Sequence, residues 1–141
     1  MKKQLRLTNR IHLLGTIKGN ALDKLNKSDE AKKPNKAIEI DPQYSAAWKN
    51  KGLALYNLNK YEEAIKAYDK AIEINPQDSA AWYNRGCIYS VINNKDQSIF
   101  NFEKAIDFDS SYKEKAKKDD DFKGLWKTNN LRNLLKKLIF L

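Results

Sequence analysis

Histidine and cysteine each occur once, at His12 and Cys87. A single cysteine cannot close a disulfide within the chain or build a thiolate metal site. A lone histidine far from it in sequence makes neither a metal centre nor a Cys-His dyad. His12 reads as a surface or partly packed side chain, and Cys87 as a small residue suited to close helix packing. The five glycines are scattered, so there is no glycine-rich phosphate loop. Asp119 to Asp121 lack the alternating ligands and glycine-bearing loop of a calcium site. No apolar run reaches membrane-spanning length, and the most apolar, LLKKLIFL at the C-terminus, holds two lysines. The start MKKQLR followed by IHLLGTI is too short and mixed for the apolar core of a secretory signal. These absences point to a non-catalytic protein without cofactor, metal or membrane, in a reducing, cytoplasmic compartment.

The charge is strongly basic, with 27 Lys and Arg against 18 Asp and Glu. It is also uneven. Residues 1–44 carry ten basic and five acidic side chains, residues 45–112 eight and nine, and residues 113–141 nine and four. The excess therefore belongs to the two ends. A nucleic-acid groove would set its cations along the central surface, between stacking aromatics, so nucleic acid is disfavoured as a partner.

What the sequence does have is repetition. KAIEIDPQYSAAWKNKG at 36–52 returns as KAIEINPQDSAAWYNRG at 70–86, thirteen of seventeen letters alike and 34 residues apart. A period of this size marks an array of small stacked units, none able to bury its apolar face alone. Within units 45–78 and 79–112 the spacing is helical. Trp48, Gly52 and Leu55 share one helix face, as do Trp82, Gly86 and Tyr89. Tyr61, Ala64, Ile65, Tyr68, Ala71 and Ile72 form a second stripe, matched by Ser98, Ile99, Phe102, Ala105 and Ile106. Polar residues from Asn57 to Lys60 separate the two helices, and Glu62 and Glu63 suit the positive start of the second. Asn75-Pro76 ends it, and Asp78 or Ser79 can cap the next. Gly52, Ala64 and Ala71 allow close helix approach, with Trp48, Tyr61 and Tyr68 filling the space around them.

The set Trp48, Gly52, Leu55, Tyr61, Ala64, Tyr68, Ala71 and Pro76 resembles the signature of the tetratricopeptide repeat family, and Trp82, Gly86, Tyr89, Phe102 and Ala105 resemble its next copy. The second copy departs from the pattern at Ser98 and Ser110. Lys51 and Arg85 stand where leucine is usual, and their apolar stems are expected to substitute in part. The resemblance implies an all-α fold, a short right-handed solenoid of antiparallel helix pairs with a C-terminal capping helix. Residues 12–44 read as an eroded first repeat behind a basic tail at 1–11, since Gly19, Ala21, Leu22 and Leu25 echo Gly52, Ala54, Leu55 and Leu58. Pro34 falls inside its second helix, costing about 3 kcal/mol in an unbroken helix, so a kink or restart is expected there. Residues 113–141 read as a closing segment whose Leu131, Leu134, Leu135, Leu138 and Ile139 form one apolar face. That face is expected to cover the last hairpin, with self-association through the same leucines as the sharper alternative.

The resemblance further implies a concave groove, lined by the first helix of each pair, that holds a peptide segment of a partner protein. By position it would present Thr16 and Asn20, then Lys49, Asn50, Leu53 and Asn57, then Tyr83, Asn84, Cys87 and Val91. Asn50 and Asn84 are the leading contacts, because an amide offers both donor and acceptor to a bound backbone. A basic clamp for a carboxylate terminus, found in some family members, is not expected: Thr16, Ala80 and Asn84 stand where it needs cations. Two alternatives to a protein-binding adaptor are a basic module holding RNA or another acidic surface through its charged ends, and a decayed fragment of a longer array.

Overall fold

Residues 32–118 are described by the computed structural model. Residues 32–40 are helical (α1), followed by α2 (Ser45–Asn57), α3 (Tyr61–Ile74), α4 (Ser79–Val91), α5 (Lys95–Phe108) and α6 (Tyr112–Lys118). No strand occurs among the described residues. Helices α2 and α3 form one antiparallel pair and α4 and α5 a second, with α4 also laid against α3. The fold is thus an all-α solenoid of helix pairs. Pro34 lies within α1 and is buried, but the residues that would reveal a restart there lie outside the described ones. So do the leucine-bearing C-terminal segment, His12, Thr16, Asn20 and the Asp119 to Asp121 cluster.

Local chemistry ends and restarts the helices where the punctuation placed them. The turn inside each pair passes through an asparagine in the left-handed region, Asn59 at φ 60° and Asn93 at φ 61°. Asparagine tolerates that conformation better than other residues bearing a side chain. Between pairs, Asp78 caps α4 by accepting from the Ala81 amide at 3.2 Å, and inside the second pair Asn94 caps α5 by accepting from the Gln97 amide at 3.3 Å. Trp48 and Trp82 each tie their helix to the preceding loop, with Trp48 Nε1 donating to the Pro42 carbonyl at 2.9 Å and Trp82 Nε1 to that of Pro76 at 2.8 Å. The corresponding residue of α6 is Ala116, which is buried.

The core lies between the two helices of each pair and between adjacent pairs. Leu55, Ala64, Tyr68, Ala71 and Ile72 join Ala81 and Ile88 of the next pair in one cluster. Tyr83, Phe102, Ala105 and Ala116 form a second, and Trp82 packs against both. The expected match of bulk to glycine is very close. A methyl group at Gly52 would lie 2.6 Å from the Tyr68 ring, and one at Gly86 2.5 Å from Phe102.

Two departures from the family pattern, Ser98 and Arg85, are compensated, while Ser110 is exposed. Ser98 is fully buried where the first unit has Ala64, and its hydroxyl donates to the Gly86 carbonyl at 2.9 Å. Arg85 does more than lend an apolar stem. Its Nε donates to Oδ1 of the fully buried Asn101 at 2.7 Å, a second nitrogen pairs with Asp69 of α3, and the guanidinium lies 4.7 Å over the Trp82 ring. Asn101 in turn donates to the Gln97 carbonyl at 2.7 Å. This polar network crosses the joint between the two pairs.

Candidate functional site

One face of α2 carries Asn50, Leu53 and Asn57, spaced three and four residues apart and all exposed. Leu53 is the notable member, since half of a large apolar side chain faces solvent. It stands between two cavities. The first, about 520 Å³, lies between α1 and α2 and includes Pro34, Ala37, Tyr44, Asn50, Leu53 and Asn57 among its described lining. The second, about 250 Å³, runs from Leu53 and Tyr56 across to Tyr83, Asn84 and Cys87 of α4, with Lys115 of α6 at its side. The structure therefore brings Asn50, Leu53, Asn57, Asn84 and Cys87 onto one continuous strip.

Three predicted groove residues also have structural partners. Lys49 pairs with Asp78 at 2.7 Å, so its charge joins α2 to the capping carboxylate of α4. Tyr83 is 3% exposed and packs against Phe102 and Tyr112, with Lys115 Nζ 4.8 Å from its ring centre. Asn84 hydrogen-bonds the Tyr68 hydroxyl. The two asparagines at equivalent positions are therefore not equivalent: Asn50 faces solvent, whereas Asn84 is half-buried over a core tyrosine. Sequence periodicity missed Tyr56, Tyr68 and Lys115 as cavity walls: Tyr56 falls on neither stripe, Tyr68 belongs to a packing stripe, and Lys115 belongs to the next unit. Cys87 contributes a half-buried thiol. Val91 is exposed at the end of α4.

Burial pushes the Tyr68 phenol well above the ordinary tyrosine range, and the Asn84 hydrogen bond only partly offsets this. The folded state thus holds this proton more tightly than the unfolded chain. Tyr68's contribution to stability should be complete below the unfolded value of about 10 and decline above it, by up to about 1.4 kcal/mol per pH unit. Urea unfolding at rising alkaline pH should show the decline in the wild type and a shallower one in Tyr68→Phe. Equal slopes would show that Tyr68 titrates alike in both states.

Among the described residues no group of three or more His, Cys, Asp or Glu is placed to hold a metal ion, and no helix is long and apolar enough to cross a membrane. The strip offers amides, aromatic edges, one thiol and one exposed leucine, with Lys33 and Lys115 at the sides of its two cavities.

Comparison with known proteins agrees with this architecture. Residues 45–78 and residues 67–100 each match a tetratricopeptide repeat family. This segment of the chain consists of tetratricopeptide repeats, the helix-pair units of protein-interaction solenoids. An uncharacterized protein of Methanocaldococcus jannaschii is 56% identical over 34 residues, which is 24% of this chain and 40% of that protein. The crystal structure of MamA superposes with a TM-score of 0.65 at 21% identity, covering 76% of this chain and 61% of MamA. The TPR2B domain of yeast Sti1, solved as a complex with pHsp70, gives a TM-score of 0.59 at 21% identity, covering 64% of this chain and 72% of that one. The chain thus spans less than two thirds of the length of the Methanocaldococcus protein and of MamA.

Proposed function

We propose that the chain is a non-catalytic adaptor that holds a short peptide segment of a protein partner along the strip formed by Asn50, Leu53, Asn57, Asn84 and Cys87. The observation that carries this reading is Leu53, half exposed at the junction of two cavities and flanked by amides. An apolar anchor with polar neighbours suits a peptide that buries one side chain and hydrogen-bonds its backbone. Asn20 and Lys49 belong to this reading by position, Lys49 as a support for α4 through Asp78. The Sti1 domain's complex with pHsp70 gives a precedent for the fold. In this reading units 45–78 and 79–112 form the binding body, residues 12–44 and 113–141 flank it, and the setting is cytoplasmic. A strip this short buries little area, so modest affinity is expected.

Charge on the described body favours a protein partner over RNA. Lys49 and Arg85 are held in ion pairs that join helices, and Lys70 and Lys117 pair with Glu73 and Glu114 one turn away. Affinity capture with the wild type, Leu53→Glu and the control Lys95→Glu checks the proposal. The expected result is a partner retained by the wild type and control and reduced by about tenfold or more with Leu53→Glu, as loss of a central anchor implies. Equal capture by all three would overturn it, as would binding to a generic RNA that collapses steeply with salt.

A further inference from the structure

On the opposite face of α2 lies a cleft of about 340 Å³ between α2 and α3. Its floor is Trp48, Leu55 and Ala67, and three lysines line it, Lys51, Lys66 and Lys70. Glu63 is the acidic member, and its carboxylate already faces Lys60 at 3.7 Å. Lys51 Nζ lies 5.3 Å over the Trp48 ring, and Lys70 reaches Glu73 at 2.9 Å.

The second repeat shows what the same location looks like when the chain fills it. Thirty-four residues on, Lys51 becomes Arg85, Ala67 becomes Asn101 and Lys66 becomes Phe100. There the Arg85 to Asn101 hydrogen bond crosses the space, and Phe100 packs edge-on to Trp82 with centroids 6.0 Å apart. Leu55 and Glu63 also change, to Tyr89 and Gln97, so only Trp48 and Lys70 of the seven lining residues keep their identity. The first repeat has exchanged two filling side chains, Asn101 and Phe100, for a methyl group and a solvent-seeking lysine, leaving an aromatic floor with three lysines among its lining residues.

We propose that this cleft binds a small organic anion whose apolar body lies on Trp48, Leu55 and Ala67 and whose carboxylate is held by Lys51, Lys66 and Lys70. The volume falls at the lower end of the range for small-ligand sites, about 300–1,000 Å³. An apolar floor with a cationic rim complements an amphipathic anion better than a bare inorganic ion, which would gain nothing from the floor, or a neutral apolar molecule, which would gain nothing from the rim. The site is separate from the Leu53 strip, so neither reading depends on the other.

Phenylacetate is a suitable probe and phenylethanol its neutral counterpart. In the isotope-labelled full chain, the Trp48 indole N–H resonance should shift saturably with phenylacetate, at about millimolar concentration for so small a molecule, while that of Trp82 stays in place. Phenylethanol should leave both unmoved. The double variant Lys51→Arg with Ala67→Asn imports the second repeat's filling and should abolish the shift while keeping the thermal transition. Lys66→Ala with Lys70→Ala, confined to the helix surface, should weaken binding by about tenfold. No saturable shift of Trp48, an equal response to phenylethanol, or binding that survives the lysine removal would overturn the proposal.

Discussion

Truncation of Phe102 to alanine should lower the free energy of unfolding by about 3–5 kcal/mol, the range for deleting a buried aromatic ring whose surroundings relax only in part. Phe102 is 2% exposed, lies over Gly86 and contacts Tyr83, so the void would open between α4 and α5. Against a total of about 5–15 kcal/mol for a typical domain, a loss of that size places the chain near its unfolding threshold. The second half of the prediction is a change of sign. Gly86→Ala alone should destabilise by about 1–3 kcal/mol, because its methyl group would meet the ring at 2.5 Å within a filled core. Once Phe102 is alanine the obstacle is gone, and Gly86→Ala should become neutral or stabilising by up to about 1 kcal/mol through helix propensity. Chemical denaturation of both single variants and the double variant measures this coupling. Additive effects would mean that the glycine is not there to receive the ring.

That pairing was legible in the sequence, and the reason is geometric. Gly86 and Phe102 lie 16 residues apart, as do Gly52 and Tyr68, and each pair falls on helical stripes that face across one short turn. Periodicity reports which face of a helix is apolar, and two such faces joined by a tight turn have few ways to meet. The same reasoning located the Asp78 cap, since its carboxylate satisfies an amide within the first turn of its own helix. It placed Ser98 on the packing stripe but not the carbonyl on another helix that its hydroxyl bonds, and it stopped at Asn101, which is fully buried with an arginine sixteen residues earlier as its partner. No spacing rule marks a polar side chain as inward-facing when its partner lies elsewhere in the fold. The strip was legible as a set of positions, while the division of labour within it was not. Tyr83 is covered through the arrival of Tyr112 and Lys115, and Asn84 is tied to Tyr68, contacts set by how neighbouring helices cross.

Arg85 provides the sharpest test of the inward-facing polar residues. Arg85→Ala should cost about 2–4 kcal/mol, mostly because Asn101 Oδ1 would remain buried without its donor, at about 1–3 kcal/mol. The ion pair with Asp69 adds about 0–1 kcal/mol, since that carboxylate is half exposed. The first repeat shows how the chain manages without this network: it places Lys51 and Ala67 at the two positions. Arg85→Lys with Asn101→Ala copies that arrangement and leaves no buried oxygen in need of a donor. The double variant should therefore lose only about 1 kcal/mol, less than Arg85→Ala alone, although it changes two residues. Thermal and urea unfolding of Arg85→Ala, Asn101→Ala and the double variant separate the cases. A double variant as unstable as Arg85→Ala would show that the cost resides in the guanidinium stacked on Trp82, whereas recovery would assign it to the orphaned amide. The two repeats would then be alternative solutions to one packing problem, one closed by its own side chains and the other left open toward solvent.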